Sequence, residues 1–330
     1  MKKINLLWTG GWDSTFRLCQ LSFKDVEVQP VYCYVTDAHD RTNSEKEIEA
    51  QKKILPLILQ KPQTKAVIHT PVRLTQNDLP QDEELDAAYQ NWYACGKIPG
   101  QLRFLAKLPL LYPDLEYCME GPTLKRRKAG YKIGKTHQFL LEHGFRIKFN
   151  ADGSTILNTD HADPELRLLF GRFTYPILGI TETDMIPIIK QWGYEDIFKK
   201  TWTCDFGGSE PCGVCHNCET KWASGLTHFF DDTPNAIRNH AIKLRLEELE
   251  KKGFFKNDPM HFGTSMPVPK LFTNYVKNGY RVKDSFSILT LPYWMQRGAA
   301  AHRKLCNAHA QDYFDSLLRE YDQEQTKEVI

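Results

Sequence analysis

The stretch INLLWTGGWDST, residues 4–15, is the strongest indication of the fold that we expect for this chain. Residues 4–8 form a short apolar run that is typical of a buried strand, and residues 14–22 have the apolar spacing of a helix. The two adjacent glycines between them leave backbone N–H groups uncovered where the strand ends and the helix begins. The stretch therefore predicts a strand–turn–helix unit whose turn can bind an anion.

The composition of the chain limits the classes of function that it can have. The chain has 330 residues, of which 41% are hydrophobic, and its formal net charge is +2. A charge so close to zero does not favour nucleic acid or a membrane surface as a partner. The first residues lack the pattern of a signal peptide, and no stretch is apolar for the length of a membrane span. We therefore expect a soluble, cytoplasmic protein without a membrane partner.

The segments that follow the first helix alternate between strand and helix patterns. VYCYV, residues 31–35, is continuously apolar, as central parallel strands are. Residues 44–59 predict a helix with Ser44 as its N-cap and Glu47 completing a capping box. Further strands are predicted at 66–70 and 115–120, and a further helix at 100–112. This α/β alternation predicts a Rossmann-like parallel sheet with helices on both faces.

The regular alternation of strand and helix patterns ends after residue 121. A hairpin is predicted at 146–157, and a helix at 181–193 has Thr181 and Asp184 as its capping box. Farther on we predict a charged helix at 234–252, an irregular aromatic segment at 262–295 and a long amphipathic helix at 296–322. We therefore expect one α/β domain over 1–225, including a metal-binding segment at 204–218, and a mostly helical extension over 226–330.

The glycine turn carries side chains that suit a polyphosphate. Gly10 and Gly11 let backbone amides approach an anion closely, and Ser14 and Thr15 add hydroxyl donors. Asp13 does not fit a bare phosphate site, because a carboxylate repels a phosphate unless a cation lies between them. Asp13 therefore serves Mg²⁺ or caps the helix, and the sequence leaves both roles open.

Four of the nine cysteines lie close together and predict a metal site. Four thiolates at such spacing favour tetrahedral Zn²⁺, and a site with four protein ligands has no open position for catalysis. An iron–sulfur cluster would also accept four cysteines. His216 lies between the ligands as a neighbour. The predicted ligands are Cys204, Cys212, Cys215 and Cys218.

The ordered string from Thr9 to Ser14 resembles the S-G-G-x-D-S signature of PP-loop ATP pyrophosphatases, with Thr9 in the first position. This resemblance implies an adenine nucleotide alpha hydrolase-like fold. It also implies that the enzyme cleaves ATP between the α- and β-phosphates, adenylates a substrate, and releases AMP and pyrophosphate. Asp13 and Ser14 would act in catalysis. The residues that the resemblance implies for ATP binding are Trp8, Thr9, Gly10, Gly11, Asp13, Ser14 and Thr15.

The glycine turn together with TWTC…CGVCHNC resembles the 7-cyano-7-deazaguanine synthase (QueC) family, whose members have a PP-loop first and a four-cysteine zinc site near the end. KIPGQLRFL (97–105), CMEG (118–121) and YPILGIT (175–181) resemble further segments of that family. The resemblance implies adenylation of the carboxylate of 7-carboxy-7-deazaguanine, attack by ammonia to give an amide, and dehydration to a nitrile with a second ATP. The residues assigned to substrate binding are Gln101, Arg103, Gly121, Asp160 and Asp163.

The chain also departs from this family. The family's deazaguanine-recognising stretch is replaced by the basic run 125–135 and a hairpin, and Glu182 stands where a lysine is usual. The extension 226–330 has no counterpart, so it either packs on the sheet or mediates a homodimer, or it docks a large acceptor. Similar proteins associated with bacterial antiphage operons attach a deazaguanine to a protein, which implies a protein amine as acceptor and a role in antiviral defence.

Two other functions fit the same motifs. A tRNA-modifying PP-loop enzyme would use the basic residues 125–135 to hold RNA, and its RNA binding would weaken steeply with salt. A non-catalytic nucleotide-binding scaffold would keep the fold without turnover. Pyrophosphate release separates the enzymes from the scaffold.

Overall fold

The computed structural model describes residues 1–34, 43–95, 98–121, 135–150, 154–257, 267–280 and 308–324. By its contacts the chain divides into two compact units. The first comprises Met1–Gly207 and Thr220–Leu226, and the second comprises Gly208–Glu219 and Thr227–Ile330. The first unit is mixed α/β, and the described part of the second is helical. No helix in the described part of the chain is long and apolar enough to cross a membrane.

The first unit contains six strands and the helices that connect them. The strands are β1 (Lys2–Leu7), β2 (Val26–Tyr34), β3 (Val67–Ile68), β4 (Val72–Thr75), β5 (Arg146–Phe149) and β6 (Thr155–Asn158) among its described residues. The helices are α1 (Trp12–Ser22), α2 (Ser44–Gln60), α3 (Glu83–Ala94), α4 (Leu102–Leu105), α5 (Leu108–Leu111), α6 (Lys135–Glu142), α7 (Pro164–Phe170), α8 (Glu182–Trp192) and α9 (Glu195–Phe198). A further helix, α10 (His216–Ala223), includes the last cysteine of the cysteine segment, Cys218, and its residues from Thr220 onward belong to the first unit.

The main sheet is parallel, as the sequence predicts. β1 pairs with β2, and β2 pairs with both β3 and β4. On the other side of β1, Leu6 bridges to Glu116 and Glu116 bridges to Thr174, both in parallel. The strands β2 to β4 therefore lie on one side of β1, and the segments at Glu116 and Thr174 lie on its other side. Ligands of open parallel sheets bind at the carboxyl ends of the strands at such a switch point, which here lies between β1 and the segment after Glu116.

Apolar side chains explain why these segments pack as they do. Val28 and Val31 of β2 are fully buried, as expected for a central strand, and Phe16 and Leu18 of α1 are fully buried against the sheet. Each such side chain contributes about 1.5–3 kcal/mol relative to exposure. This core holds the start of α1 rigidly next to the end of β1.

The predicted N-cap of α2 is wrong. The helix begins at Ser44 and its N-cap is Asn43, whose side chain makes no cap hydrogen bond with the described backbone. Asn43 Nδ2 instead donates to the Cys204 carbonyl (3.0 Å) and to Glu47 Oε1 (3.1 Å), and the Tyr32 hydroxyl donates to Glu47 Oε2 (2.7 Å). Asn43 and Glu47 are both buried. Their side chains therefore hydrogen-bond each other, and Asn43 also bonds the Cys204 carbonyl, instead of capping the end of the helix.

Three other segments differ from their predictions. The helix expected at 100–112 is divided into α4 and α5, because Pro109 has no N–H to continue a helix. The strand expected at 115–120 is reduced to the bridge at Glu116. Part of the segment expected to be irregular is the helix α12 (Val268–Lys277), and residues 281–295 lie outside the described chain.

The hairpin and the remaining helices agree with their predictions. β5 and β6 pair antiparallel, although Asp152 and Gly153 of the expected turn lie outside the described residues. α8 has the predicted capping box of Thr181 and Asp184. In the second unit, α11 (Pro234–Lys251) lies within the predicted helix at 234–252. A helix over 308–324 (α13) overlaps the predicted helix at 296–322 and ends two residues beyond it, and 296–307 is outside the described part. α11 to α13 share a core that includes Phe272, Tyr275 and Phe314.

Candidate functional site

The glycine turn joins the end of β1 to the start of α1. Gly10 has a φ of +76°, and a Cβ there would lie 2.8 Å from the Glu47 carbonyl oxygen, so only glycine fits. The Trp202 N–H donates to the Gly10 carbonyl (3.1 Å), and Gln51 Nε2 donates to the Trp8 carbonyl (2.8 Å). Two distant segments therefore hold the backbone of the turn in place.

We expect Gly10→Ala to destabilise the protein by about 1–3 kcal/mol, because it adds steric overlap to an unfavourable φ. Gly193→Ala is the matched control, since Gly193 has a φ of +68° but no described atom within 4 Å of the added Cβ. Urea unfolding of both variants measures the difference. Equal losses for the two variants would show that the close approach to Glu47 has no energetic consequence.

The hydroxyl groups of the predicted ATP-binding string have two different placements. Ser14 Oγ accepts from the Thr9 N–H (3.2 Å), and Thr9 Oγ1 accepts from the Gly11 N–H (3.2 Å), so both hydroxyls lie at the turn. Trp8 Nε1 donates to Thr15 Oγ1 (3.1 Å), and both of these side chains are fully buried. Trp8 and Thr15 therefore support the turn from within the core.

Asp13 does not cap the helix. The N-cap of α1 is Gly11, and no described side chain makes a cap hydrogen bond there. Asp13 lies in the first turn, where one of its oxygens comes within 4.8 Å of one oxygen each from Glu120 and Glu182. Glu120 follows the Glu116 bridge, and Glu182 is the first residue of α8. The three carboxylates thus meet at the switch point of the sheet, and we call them the carboxylate cluster.

Buried oxygens of the carboxylate cluster lack partners. Asp13 Oδ1 and Glu182 Oε2 are buried and have no hydrogen-bond partner among the described residues. Lys221 of α10 donates to the other oxygen of Glu182. A buried polar atom without a partner costs free energy, so these two oxygens favour a ligand that takes their lone pairs.

The pKa values in the cluster are shifted by burial and by neighbouring charges. Burial, followed by the charge of Glu120, raises the pKa of Asp13 well above its ordinary value, while Lys221 opposes this shift. Burial and then Glu182 raise the pKa of Glu120. Burial by itself would lower the pKa of Lys221, but the charges of Glu182 and Asp13 outweigh it and raise the pKa. Ionisation of these carboxyl groups therefore costs free energy in the folded protein, and a bound cation would offset that cost.

The donor set fits a hard divalent cation. Carboxylate oxygens are the ligands that Mg²⁺ and Ca²⁺ prefer, and three of them converge here with lone pairs to spare. The sequence left Asp13 open between Mg²⁺ and a helix cap, and it did not indicate Glu120 or Glu182 as ligands. Glu120 precedes the predicted strand-ending Gly121, and that position at the carboxyl end of a parallel segment was the signal available.

A small cavity of about 90 Å³ lies beside the turn, at the ends of β1 and β2. It brings together Thr9 and Gln101, two of the predicted site residues that are far apart in the chain. Its lining consists of Leu7, Thr9, Tyr32, Cys33, Asn43, Ser44, Glu47, Gln101, Leu105 and Tyr117. Tyr32 and Tyr117 contribute aromatic side chains to this lining, but the volume of the cavity is smaller than the roughly 300–1,000 Å³ that is typical of ligand pockets.

The other predicted substrate residues do not line this cavity. Arg103 is exposed, and its guanidinium lies over the Phe104 ring at 5.6 Å. Asp160 is exposed and accepts from Asn158 Nδ2 (2.8 Å). Asp163 is the N-cap of α7, where it accepts from the backbone N–H of residues 165 and 166. Gly121 donates its N–H to the Ile180 carbonyl (2.6 Å) and follows Glu120 of the carboxylate cluster.

The four predicted metal ligands come together. The sulfurs of Cys204, Cys212, Cys215 and Cys218 all lie within 4.8 Å of one another, and Cys212 Sγ is 3.9 Å from Cys218 Sγ. Tetrahedral zinc thiolates with Zn–S bonds of about 2.3 Å separate their sulfurs by about 3.8 Å. Iron–sulfur clusters place iron and sulfide between their cysteines and spread them farther apart. The arrangement is therefore compatible with a single ion such as zinc.

Backbone N–H groups support this cysteine group. They donate to three of the sulfurs: Phe206 to Cys204, Val214 and Cys215 to Cys212, and Cys218 to Cys215, at 3.2–3.4 Å. Such bonds stabilise thiolate charge. Four cysteine sulfurs would fill all four coordination positions of a tetrahedral ion, which is typical of a structural site.

No protein-family model matches the chain, and no curated protein matches it. A functional conclusion therefore depends on the geometry of the turn, the carboxylate cluster and the cysteine group.

Proposed function

We propose that the first unit is a PP-loop ATP pyrophosphatase domain that activates a carboxylate by adenylation. The observation that carries this proposal is the carboxylate cluster beside the glycine turn, at the switch point of a parallel sheet. The strand order supports a PP-loop type of Rossmann-like fold, because successive strands lie on one side of β1 and then on the other.

The turn and the cluster complement different parts of a nucleotide. Backbone N–H groups at residues 10–14 and the N-terminus of α1 attract phosphate oxygens. Asp13, Glu120 and Glu182 would hold Mg²⁺, which supplies charge neutralisation for the polyphosphate when bound. Tyr32, Tyr117 and Gln101 line the cavity of about 90 Å³ beside the turn, and these aromatic and amide groups support the placement of a heteroaromatic ring there once the cavity widens.

The proposed reaction has two group transfers. A carboxylate oxygen of the substrate attacks the α-phosphorus of ATP, the bond to the bridging oxygen breaks, and pyrophosphate leaves. An amine nitrogen then attacks the acyl carbon, AMP leaves, and the amine loses a proton to give an amide. Such a reaction depends on alignment and on charge stabilisation more than on general acids or bases. We propose 7-carboxy-7-deazaguanine as the substrate, with ammonia or a protein amine as the acceptor.

We assign zinc to the cysteine group and a partner-binding role to the extension. Four thiolates without an open position support a structural zinc ion. The helices α11 to α13 form a separate core, which supports a role for residues 226–330 in docking a protein acceptor or a second copy of the chain.

The test is an assay of the purified full-length chain with ATP, Mg²⁺, 7-carboxy-7-deazaguanine and an ammonium salt. We expect AMP and pyrophosphate in equal amounts only when the carboxylate is present, and intact-mass spectrometry identifies a small amide, a nitrile or a modified protein. ATP binding without pyrophosphate would instead indicate a scaffold. Pyrophosphate release that depends on tRNA, and that weakens steeply with salt, would indicate the tRNA-modifying enzyme.

A further inference from the structure

Lys221 is a buried cation next to the carboxylate cluster, and no motif in the sequence indicates a role for it. Its side chain is 6% exposed, and its ammonium donates to Glu182 Oε1. The same Nζ lies 5.7 Å from the centre of the Trp12 ring, at the first residue of α1. The ammonium is therefore held between the start of α1 and the start of α8, next to the carboxylates.

The charge of the cluster depends on Lys221. With a cation bound, the three carboxylates are ionised, and together with one ammonium they carry two negative charges, which one divalent cation neutralises. At separations of a few ångströms an ammonium strongly opposes a second cation, because the Coulomb energy falls only as the inverse of distance. Arg17, on the next turn of α1, does not replace it, because both Nε (2.8 Å) and Nη2 (2.7 Å) donate to Glu116.

We propose that Lys221 is a positioning residue that holds Glu182 in the cluster and limits the cluster to the charge of one divalent cation. A neutral cluster accepts the polyphosphate of ATP, whereas a cluster that stays negative repels it. This inference deepens the proposed function and rests on it. Lys221 lies on α10, three residues after Cys218.

Two variants separate charge from structure. Lys221→Met removes both the charge and the hydrogen bond, whereas Lys221→Gln keeps a donor for Glu182 without the charge. Titration calorimetry with Mn²⁺ alone should give an affinity at least about tenfold tighter for Lys221→Gln than for the unaltered chain, because a repelling charge is gone. Lys221→Met should bind Mn²⁺ more weakly than Lys221→Gln, because Glu182 is no longer held in position. Lys221→Arg keeps the charge and should bind Mn²⁺ as the unaltered chain does.

The affinity for ATP should change in the opposite direction. With Mn²⁺ at saturation, we expect Lys221→Gln to bind ATP at least about tenfold more weakly, because the cluster remains negative. Lys61→Met is the matched control, since Lys61 also contacts a carboxylate (Asp196, 2.9 Å) and an aromatic ring (Tyr194, 5.3 Å) but lies away from the cluster. It should change neither affinity.

The two affinities distinguish the possible outcomes. A purely structural Lys221 predicts weaker binding of both Mn²⁺ and ATP, because Glu182 would lose its position. If Lys221→Gln folds and binds Mn²⁺ no more tightly than the unaltered chain, the proposal is wrong, and it is equally wrong if the unaltered chain binds no Mn²⁺. If the unaltered chain binds Mn²⁺ but neither binds ATP nor releases pyrophosphate, the proposed function fails, while the Mn²⁺ comparison still decides the role of Lys221.

Discussion

Replacing Asp13 by asparagine should lower pyrophosphate release by about 100-fold or more while the protein remains folded. Asparagine has nearly the same shape, but it removes the charge that lies nearest to the α1 N-terminus and an oxygen that has no protein partner. Loss of one preorganised electrostatic contact to a reacting group commonly costs this much in rate. Steady-state assays of pyrophosphate release measure the effect.

Asp25→Asn is the control for this substitution. Asp25 is an exposed carboxylate just after α1, so its loss alters the net charge equally without touching the cluster. Normal turnover of Asp13→Asn would refute the assignment of Asp13 to the reaction, and equal losses in both variants would point to a general effect of charge.

The stability of the unaltered chain relative to Asp13→Asn should fall as the pH rises, because aspartate titrates and asparagine does not. Burial raises the pKa of Asp13 in the folded protein, so the folded state binds a proton more tightly than the unfolded chain does. The stabilisation that Asp13 contributes is fully present below its pKa in the unfolded chain, and it is lost as the pH rises through its pKa in the folded protein. Without a divalent cation, Asp13→Asn should therefore melt at a higher temperature than the unaltered chain at neutral pH. Added Mg²⁺ should stabilise only the unaltered chain, which calorimetric melting curves can test.

Cys215→Ser should have the second large effect, on stability. Cys215 is buried among the sulfurs, and its Sγ also accepts the Cys218 N–H (3.4 Å). Structural zinc contributes about 10–16 kcal/mol of apparent binding free energy in small zinc peptides, so loss of a ligand is expected to cost several kcal/mol. Metal analysis should find one zinc ion per unaltered chain and less in the variant, and urea unfolding gives the stability difference.

The control for Cys215→Ser is Cys95→Ser, because Cys95 is exposed. Activity should fall along with stability in Cys215→Ser, since the segment before the group reaches the glycine turn. The Trp202 N–H bonds the Gly10 carbonyl, and the Cys204 carbonyl accepts from Asn43. Iron instead of zinc in the purified protein, or unchanged stability of the variant, would contradict this prediction.

Local patterns were sufficient for the elements that are stabilised by neighbours in sequence. The parallel strands β1 and β2, the capping box of α8 and the hairpin pairing all have signals within a few residues. The cap of α2 could not be predicted in this way. Ser44 has the right sequence context, but Asn43 and Glu47 are used in a buried network with residues far away in the chain, and that network determines where the helix starts.

The strand–turn–helix at residues 4–22 and the grouping of four cysteines could be predicted from the chain alone, because glycine conformations and the close spacing of the cysteines are local properties. That Glu120, Glu182 and Lys221 join Asp13 follows only from the folded structure. These residues come from separate segments, and the order of strands in the sheet brings them to one point. Their charges matter only at that short separation, away from solvent, where no pattern along the chain records them.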